Sequence, residues 1–357
     1  MQLAERRQVV VWSEYEIEVV NLKDANRFRQ IEAFLAEYEL SFDDSVEYTI
    51  AVRRSEEIVG TGSFSGEILR NIAVSEKEQG AGLTSLILSS LMQEQARRGR
   101  MHYFIFTKPA KAHLFTNLGF TEIARDELYT SLLETGLGSI EKYCSAVVQQ
   151  ASSIRGKRAA VIVNCNPFTK GHQALIRKAA GENDGVVVFV VSEDQSLFPF
   201  ADRIKLVREG VADLTNVVVV PSGKYMVSSA TFPTYFTREE EQVIAQTRLD
   251  VNLFATQIAR RIGITKRYIG EEPECPVTNA YNKAMLDILP QYGIEISVIK
   301  RIEIDGEVIS ASKVRDLIRL NKWEEIKKIV PDTTYSYLVA PETKLVLEKI
   351  RHSHSRH

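Results

Sequence analysis

Apolar and polar positions change rhythm along this chain, and the change divides it in two. After a charged opening that reads as helical, short runs at Tyr48 to Arg53, Glu57 to Ser63 and Leu69 to Val74 have the length and composition of strands. A glycine-bearing turn leads into an amphipathic helix over Leu83 to Arg98. A further strand, His102 to Thr107, runs into a helical segment closing at Leu118, Gly119 and Phe120. Farther on, apolar runs at Ala159–Val163, Val186–Val191, Val217–Val220, Arg267–Gly270 and Glu295–Ile299 alternate with helical stretches. Such alternation implies a parallel sheet with helices on both faces. The expected fold class is therefore α/β, an α+β domain followed by a doubly wound parallel sheet. The boundary falls near Ser153 to Arg158, giving domains at 1–152 and 153–345 and a tail at 346–357.

Within the second half, NPFTKGH, Asn166 to His172, ends the first apolar run and precedes a helical stretch from Gln173 to Ala180. A strand-to-helix turn of this kind binds anions, because free backbone N–H groups and the positive end of the helix dipole converge on it. Gly171 lets a phosphate approach the main chain, and His172 opens the helix facing the ligand. Far downstream, ISASKVR, Ile309 to Arg315, begins another helix. Ser310 or Ser312 can cap its free amides, and Arg315 follows a turn later on the same side. In open sheets, ligands bind beyond the carboxyl ends of strands where the strand order reverses. The two motifs thus read as the halves of one nucleoside-triphosphate site. No GxxxxGKS or GxxxxGKT run occurs, so this is not a P-loop.

Composition narrows the partners. The 357 residues carry 45 basic and 47 acidic side chains, a formal charge of −2, which gives no global pull toward nucleic acid or an anionic membrane. Cys144, Cys165 and Cys275 lack metal-ligand or redox spacing and read as reduced thiols. No stretch approaches the ~20 apolar residues of a membrane span, and MQLAERRQVVVW places charges where a signal peptide needs its apolar core. A cytoplasmic protein with a small-molecule or protein partner is expected, without nucleic acid or membrane. The closing RHSHSRH reads as a solvated tail.

At Thr169, Gly171 and His172, and again at Ile309, Ser310, Ser312 and Arg315, the chain resembles the nucleotidyltransferase superfamily. The blocks VSEDQSLFPFADRIKLV, NVVVVPSGKYMVSSATFPTYF, RYIGEEP and VTNAYN resemble one family within it, the citrate lyase ligases. QGAGLT, Gln79 to Thr84, and HLFTNLGF, His113 to Phe120, resemble the Gcn5-related acetyltransferases, whose fold precedes the nucleotidyltransferase domain in that family. Gly80 and Gly82 allow amides to approach a pyrophosphate. Gln79 meets the usual first position, whereas Thr84 stands where a small residue is usual. The same turn lacks the last glycine of a dinucleotide fingerprint.

The resemblance implies ligation: ATP with Mg²⁺ and acetate form acetyl-adenylate and pyrophosphate. The acetyl group then passes to the thiol of a dephospho-coenzyme-A-derived prosthetic group on the citrate lyase acyl carrier subunit. It also implies a coenzyme-A-like group in the N-terminal domain. Adenylation requires in-line attack and charge neutralisation rather than a covalent nucleophile. His172 is expected at the α-phosphate, assisted by Thr169, with Ser312 and Arg315 at the β- and γ-phosphates and Ser310 and Lys313 beside them. Asn166 holds the turn or touches phosphate, and Phe168 belongs to the same cradle. Lys170 is either a phosphate ligand or a solvated cation. Arg203 matches a recurrent arginine of the superfamily or forms a surface salt bridge with Asp202 or Glu209. Gly270, Glu271 and Glu272 end a strand where ribose or adenine could be met, or are ordinary loop positions. Lys224, Tyr225, Thr231, Phe232 and Tyr235 lie in a block distinctive of the ligases that serves acetate or the core. Cys165 reads as a small buried residue. Two other classes stay open at this point, an adenylyltransferase making a dinucleotide and an acetyltransferase with a nucleotide-sensing appendage.

Overall fold

The computed structural model describes residues 10–12, 14–42, 45–192, 196–226, 239–271, 276–304 and 306–353. Thr231, Phe232, Tyr235, Glu272, Cys275, His354 and His357 lie outside the described residues. The chain divides into two compact units, one holding residues 10–139 with 239–249, the other residues 140–226 with 250–353.

The first unit is built on strands β1 (Val10–Trp12), β2 (Tyr15–Val19), β3 (Tyr48–Arg54), β4 (Glu57–Ser65), β5 (Ile68–Val74), β6 (His102–Thr107), β7 (Thr121–Asp126) and β8 (Thr130–Gly136), with helices α1 (Ala25–Ala36), α2 (Leu83–Arg97) and α3 (Ala112–Thr116). The sheet order is β1-β2-β3-β4-β5-β6-β8-β7. Its pairs are antiparallel except β5 with β6, which run parallel and meet only at Ile68↔Phe104 and Leu69↔Ile105. The rest of β5 therefore parts from β6, and the glycine turn into α2 follows where β5 ends. This is an α+β arrangement, as expected of the first domain. The opening is not purely helical, as its charge suggested: YEIEV alternates with period two and pairs with β3 as a strand. Ile87, Leu88 and Leu91 of α2 are buried with Ile50, Val52, Phe64 and Leu133 of the sheet in one apolar core.

The second unit opens with α4 (Ile140–Gln150), β9 (Arg158–Val163), α5 (Lys170–Glu182), β10 (Gly185–Val190), α6 (Phe200–Gly210) and β11 (Val217–Pro221). It resumes through the end of α7 (Glu239–Leu253), a π-helical stretch Phe254–Ala259, α8 (Arg260–Ile262), β12 (Ile264–Gly270), α9 (Pro276–Ile288) and β13 (Glu295–Ile299). A hairpin of β14 (Glu303–Ile304) and β15 (Glu307–Val308) leads to α10 (Ala311–Arg319), α11 (Trp323–Ile329), α12 (Asp332–Val339) and α13 (Lys344–His352). The five long strands form a wholly parallel sheet, β11-β10-β9-β12-β13. The chain reverses its direction of growth between β9 and β12, which is where such sheets open a crevice at their carboxyl ends. Helices on both faces explain why β10, GVVVFV, is buried at every position.

Two boundaries differ from the linear pattern. Helix α4, on the N-terminal side of residue 153, packs in the second unit: Ile140, Cys144 and Val147 are buried, and the Tyr143 hydroxyl donates to the Pro221 carbonyl at 2.9 Å. An amphipathic stripe shows that a helix needs a partner but not which one. Residues 346–352 are not tail either. They complete α13, whose Val346 and Ile350 join Val314, Leu317 and Ile318 of α10 in a core of the last helices.

Gly210 closes α6 against the fully buried Phe168 ring, and a Cβ there would lie 2.4 Å from Phe168 Cε1. Gly210→Ala is expected to cost about 1–3 kcal/mol by forcing that ring aside. Denaturant unfolding measures it; an unchanged midpoint would show that the ring yields freely.

Candidate active site

The NPFTKGH turn crosses from β9 into α5, and its backbone is unusual throughout. Cys165 sits at φ +55, the left-handed region that non-glycine residues rarely occupy, and the Asn166–Pro167 peptide is cis. Asn166 is buried, and its side-chain oxygen accepts the Phe198 N–H at 3.1 Å. Thr169 is the N-cap of α5 and forms a capping box with His172. The Thr169 hydroxyl accepts the His172 N–H at 3.4 Å, while the Thr169 main-chain N–H donates to His172 Nδ1 at 3.1 Å. A ring nitrogen that accepts a main-chain N–H carries no proton of its own, so in the neutral ring the proton sits on Nε2. The helix thus begins at Lys170, earlier than Gln173, because Thr169 supplies the cap.

ISASKVR meets this turn directly. Arg315, 3% exposed, donates from Nη1 to the Asn166 carbonyl at 2.5 Å and from Nη2 to the Ser312 hydroxyl at 3.1 Å. A side chain at Gly171 would lie 3.6 Å from the Ile309 carbonyl, so the two motifs touch at a second point. The serines divide the work that either could have done. Ser310 caps α10 by accepting the Lys313 N–H at 3.1 Å, and Ser312 receives Arg315. The Lys313 ammonium pairs with Glu307.

On the other side of the reversal, β12 ends at Gly270, whose carbonyl accepts from Asn282 at 3.1 Å. Glu271, exposed, continues the pairing by donating its N–H to the Ile299 carbonyl at 2.9 Å. Its own carbonyl accepts Arg301 Nε at 2.9 Å. Arg301 is a residue that no motif signalled. The available signal was its place, a cation two positions past a strand end at the crevice. Burial first, and the Arg301 charge second, lower the His172 ring from its ordinary 6.5 to about 4. The half-buried imidazole is therefore neutral in the physiological range and offers Nε2–H as a donor.

Several expected roles change in the folded chain. Arg203 is 0% exposed rather than at the surface, and it donates to the carbonyls of Phe198 at 3.0 Å, Asn164 at 2.9 Å and Val191 at 2.7 Å. Asp202 instead accepts the Tyr337 hydroxyl at 2.8 Å, and Glu209 lies 3.9 Å from Lys205. Lys170 is not simply solvated. Its ammonium donates to the Lys328 carbonyl at 2.6 Å, at the negative end of α11. Phe168 is core, stacked 6.1 Å beneath the His172 ring. Tyr225 is buried 5.2 Å from the Tyr143 ring, while Lys224 is exposed. Burial pushes the Cys165 thiol well above its usual range, so it stays protonated and poorly nucleophilic.

In the first unit, Gly80 and Gly82 sit at φ +89 and +79, conformations that favour glycine, and none of the described residues lies within 4 Å of where either side chain would point. The turn is exposed and leads into α2 through Gly82 as N-cap. Gln79, also exposed, hydrogen-bonds the Glu76 carbonyl through its N–H at 3.3 Å. Glu78, unsignalled by any motif, braces the turn from below by accepting the Tyr15 hydroxyl at 2.6 Å and Arg54 at 2.8 Å.

A ring held neutral leaves a signature in stability. Above pH ~6.5 the imidazole is neutral folded or unfolded and contributes nothing to pH dependence. From there down to about 4 the unfolded chain binds a proton that the folded ring refuses, so stability falls as pH falls, by up to about 3 kcal/mol. His172→Asn is expected to remove this component from the thermal midpoint measured between pH 7 and 4. Parallel profiles for the two proteins would contradict it.

Residues 158–338 match the citrate lyase ligase C-terminal domain. The chain is 36% identical over 323 residues to the citrate (pro-3S)-lyase ligase of Klebsiella pneumoniae, spanning 89% of this chain and 94% of that protein. It is 33% identical over 340 residues to the ligase of the same name from Escherichia coli (strain K12), spanning 89% and 92%, and 34% identical over 318 residues to that of Haemophilus influenzae, spanning 86% and 94%. With the family's own domain covering half its length and three of its members matched over most of the rest, the chain belongs to the citrate lyase ligase family.

Proposed function

We propose that this chain activates citrate lyase by acetylating, at the expense of ATP, the thiol of the dephospho-coenzyme-A-derived prosthetic group on the lyase's acyl carrier subunit. One observation carries the reading. The Arg315–Asn166 hydrogen bond brings the starts of α5 and α10 to the strand-order reversal, so two helix N-termini serve one crevice. The names of the matched relatives supply the acceptor, citrate lyase.

In the first half-reaction an acetate oxygen attacks the α-phosphorus and the bond to pyrophosphate breaks. His172 donates from Nε2 to an α-phosphate oxygen as its charge rises, with Thr169 fixing the ring. A neutral donor suits this role, because it gains a stronger hydrogen bond in the transition state without having paid for a buried charge beforehand. The helix starts at Thr169 and Ser310 present first-turn amides to the leaving pyrophosphate. Ser312, Lys313 and Arg315 add hydroxyl and positive charge there. Mg²⁺ carried on the phosphates would lower their charge, and the Thr169 and Ser312 hydroxyls are the neutral oxygens at these helix starts that suit it. Gly270 and Glu271 border the side of the crevice left for ribose or adenine. Asn166, Phe168, Gly171 and Arg203 act beneath the ligand by holding the turn.

In the second half-reaction the thiol sulfur of the prosthetic group attacks the acetyl carbonyl, its proton departs, and the bond to AMP breaks. Protonated Cys165 takes no part. The first unit serves as the binding module for the coenzyme-A-like arm, with Gly80 and Gly82 opening the main chain to its pyrophosphate and Gln79 beside them.

Purified protein incubated with ATP, Mg²⁺, acetate and deacetylated citrate lyase is expected to restore lyase activity with matched release of AMP and pyrophosphate. A dinucleotide product, or acetylation from acetyl-coenzyme A without ATP, would replace the reading. His172→Ala is expected to slow acetate-dependent pyrophosphate release about 10²–10³-fold, the range for loss of one transition-state donor. Normal release by that variant removes His172 from the chemistry.

A further inference from the structure

Lys170 is the first residue of α5, a place that disfavours a cation because the N–H groups and the positive end of the dipole converge there. Its charge is led away. The ammonium donates to the Lys328 carbonyl at 2.6 Å and lies 3.5 Å from the Lys327 carbonyl, both near the end of α11. Carbonyls in the last turn of a helix lack partners within it, and the dipole there is negative. A lysine at one helix start thus closes the end of another, 158 residues on.

The contact matters through what α11 is joined to. Val314, Leu317 and Ile318 of α10 share one apolar core with Ile326 and Ile329 of α11, so the two helices pack as a unit. α10 leaves the NPFTKGH turn and α11 comes back to it. At the outgoing end, Arg315 donates to the Asn166 carbonyl, and the Ile309 carbonyl lies 3.6 Å from where a side chain at Gly171 would point. Lys170 makes the contact at the returning end. One anchor alone leaves a helix pair free to swing about it, whereas a second anchor at the far end removes that freedom.

We propose that Lys170 is a positioning residue: it pins the returning end of the α10–α11 pair to the start of α5, and so fixes where the start of α10 stands when pyrophosphate departs. It acts through α10 and not by meeting phosphate. The assignment rests on the ATP-dependent reading above and deepens it. Groups that stabilise a transition state must be held closely, since a misplacement of about 1 Å can cost about 10²-fold in rate.

The test compares wild type, Lys170→Met and Lys170→Arg with ATP, Mg²⁺ and acetate. Methionine keeps much of the apolar stem and removes both donor and charge. Lys170→Met is expected to lower kcat for pyrophosphate release about 10-fold, with the KM for ATP and for acetate each within about threefold of wild type. Lys170→Arg is expected to keep at least about half of the wild-type kcat, because its fork can donate to both carbonyls. Hydrogen exchange of the free proteins reads the anchor directly: in Lys170→Met the amides of α11 should exchange about 10-fold faster while those of β9 and β10 stay as in wild type, a pattern that general destabilisation would not give. An unchanged kcat overturns the proposal. A rise of about tenfold in the KM for ATP with kcat kept also overturns it, by putting the ammonium on phosphate, and so does an arginine variant as slow as methionine. If wild type itself releases no pyrophosphate, the functional reading falls. Hydrogen exchange then judges Lys170 separately: faster exchange confined to α10 and α11 supports the anchor, and equal protection ends it.

Discussion

A single charge-assisted hydrogen bond, from the Arg315 guanidinium to the Asn166 carbonyl, joins segments 149 residues apart and brings the starts of α5 and α10 together. Both partners are buried, so breaking the bond would leave a cation and a carbonyl without water to replace it. The positive φ of Cys165 persists because the turn that follows is held from several directions. Phe198 donates to the Asn166 side chain, Arg315 holds its carbonyl, and Arg203 gathers the carbonyls of Asn164, Val191 and Phe198. Irregular backbone deep in a sheet edge must satisfy its polar groups somewhere, and here two arginines do so.

That use of arginine shapes the electrostatics. Cations that a reader of the motif would assign to phosphate, Arg203 and Lys170, are committed to main-chain oxygens. What the turn keeps is a donor held neutral by its surroundings, His172, beside the capped starts of α5 and α10. Preorganised dipoles cost no reorganisation when charge develops on the phosphate. Burial acts the same way on both groups beside the turn: it keeps His172 neutral and the Cys165 thiol protonated, so that thiol is a poor nucleophile.

Much of the fold was legible because its signals are local. The runs at 159–163 and 186–191 are apolar on both faces, as strands covered twice must be, and the cap at Thr169 is a local hydrogen bond between residues three apart. The first unit was harder to read. The strand Tyr15–Val19 carries as much charge as a surface helix, and the β7–β8 hairpin consists of short runs whose pairing is set by β6 rather than by their own composition. Helix α13 looked like tail because a short basic amphipathic stretch acquires meaning only when α10 offers a face for Val346 and Ile350.

The amino-acid sequence by itself determined the alternating strands and helices, the two motifs with their caps, and membership in a ligase family, because these depend on residue identity at short spacing. Which arginine ties the turn and whether the histidine is charged were decided only by tertiary structure. Hydrogen-bond partners 30 to 149 residues away and the exclusion of water are properties of the packed chain, and no local pattern encodes them.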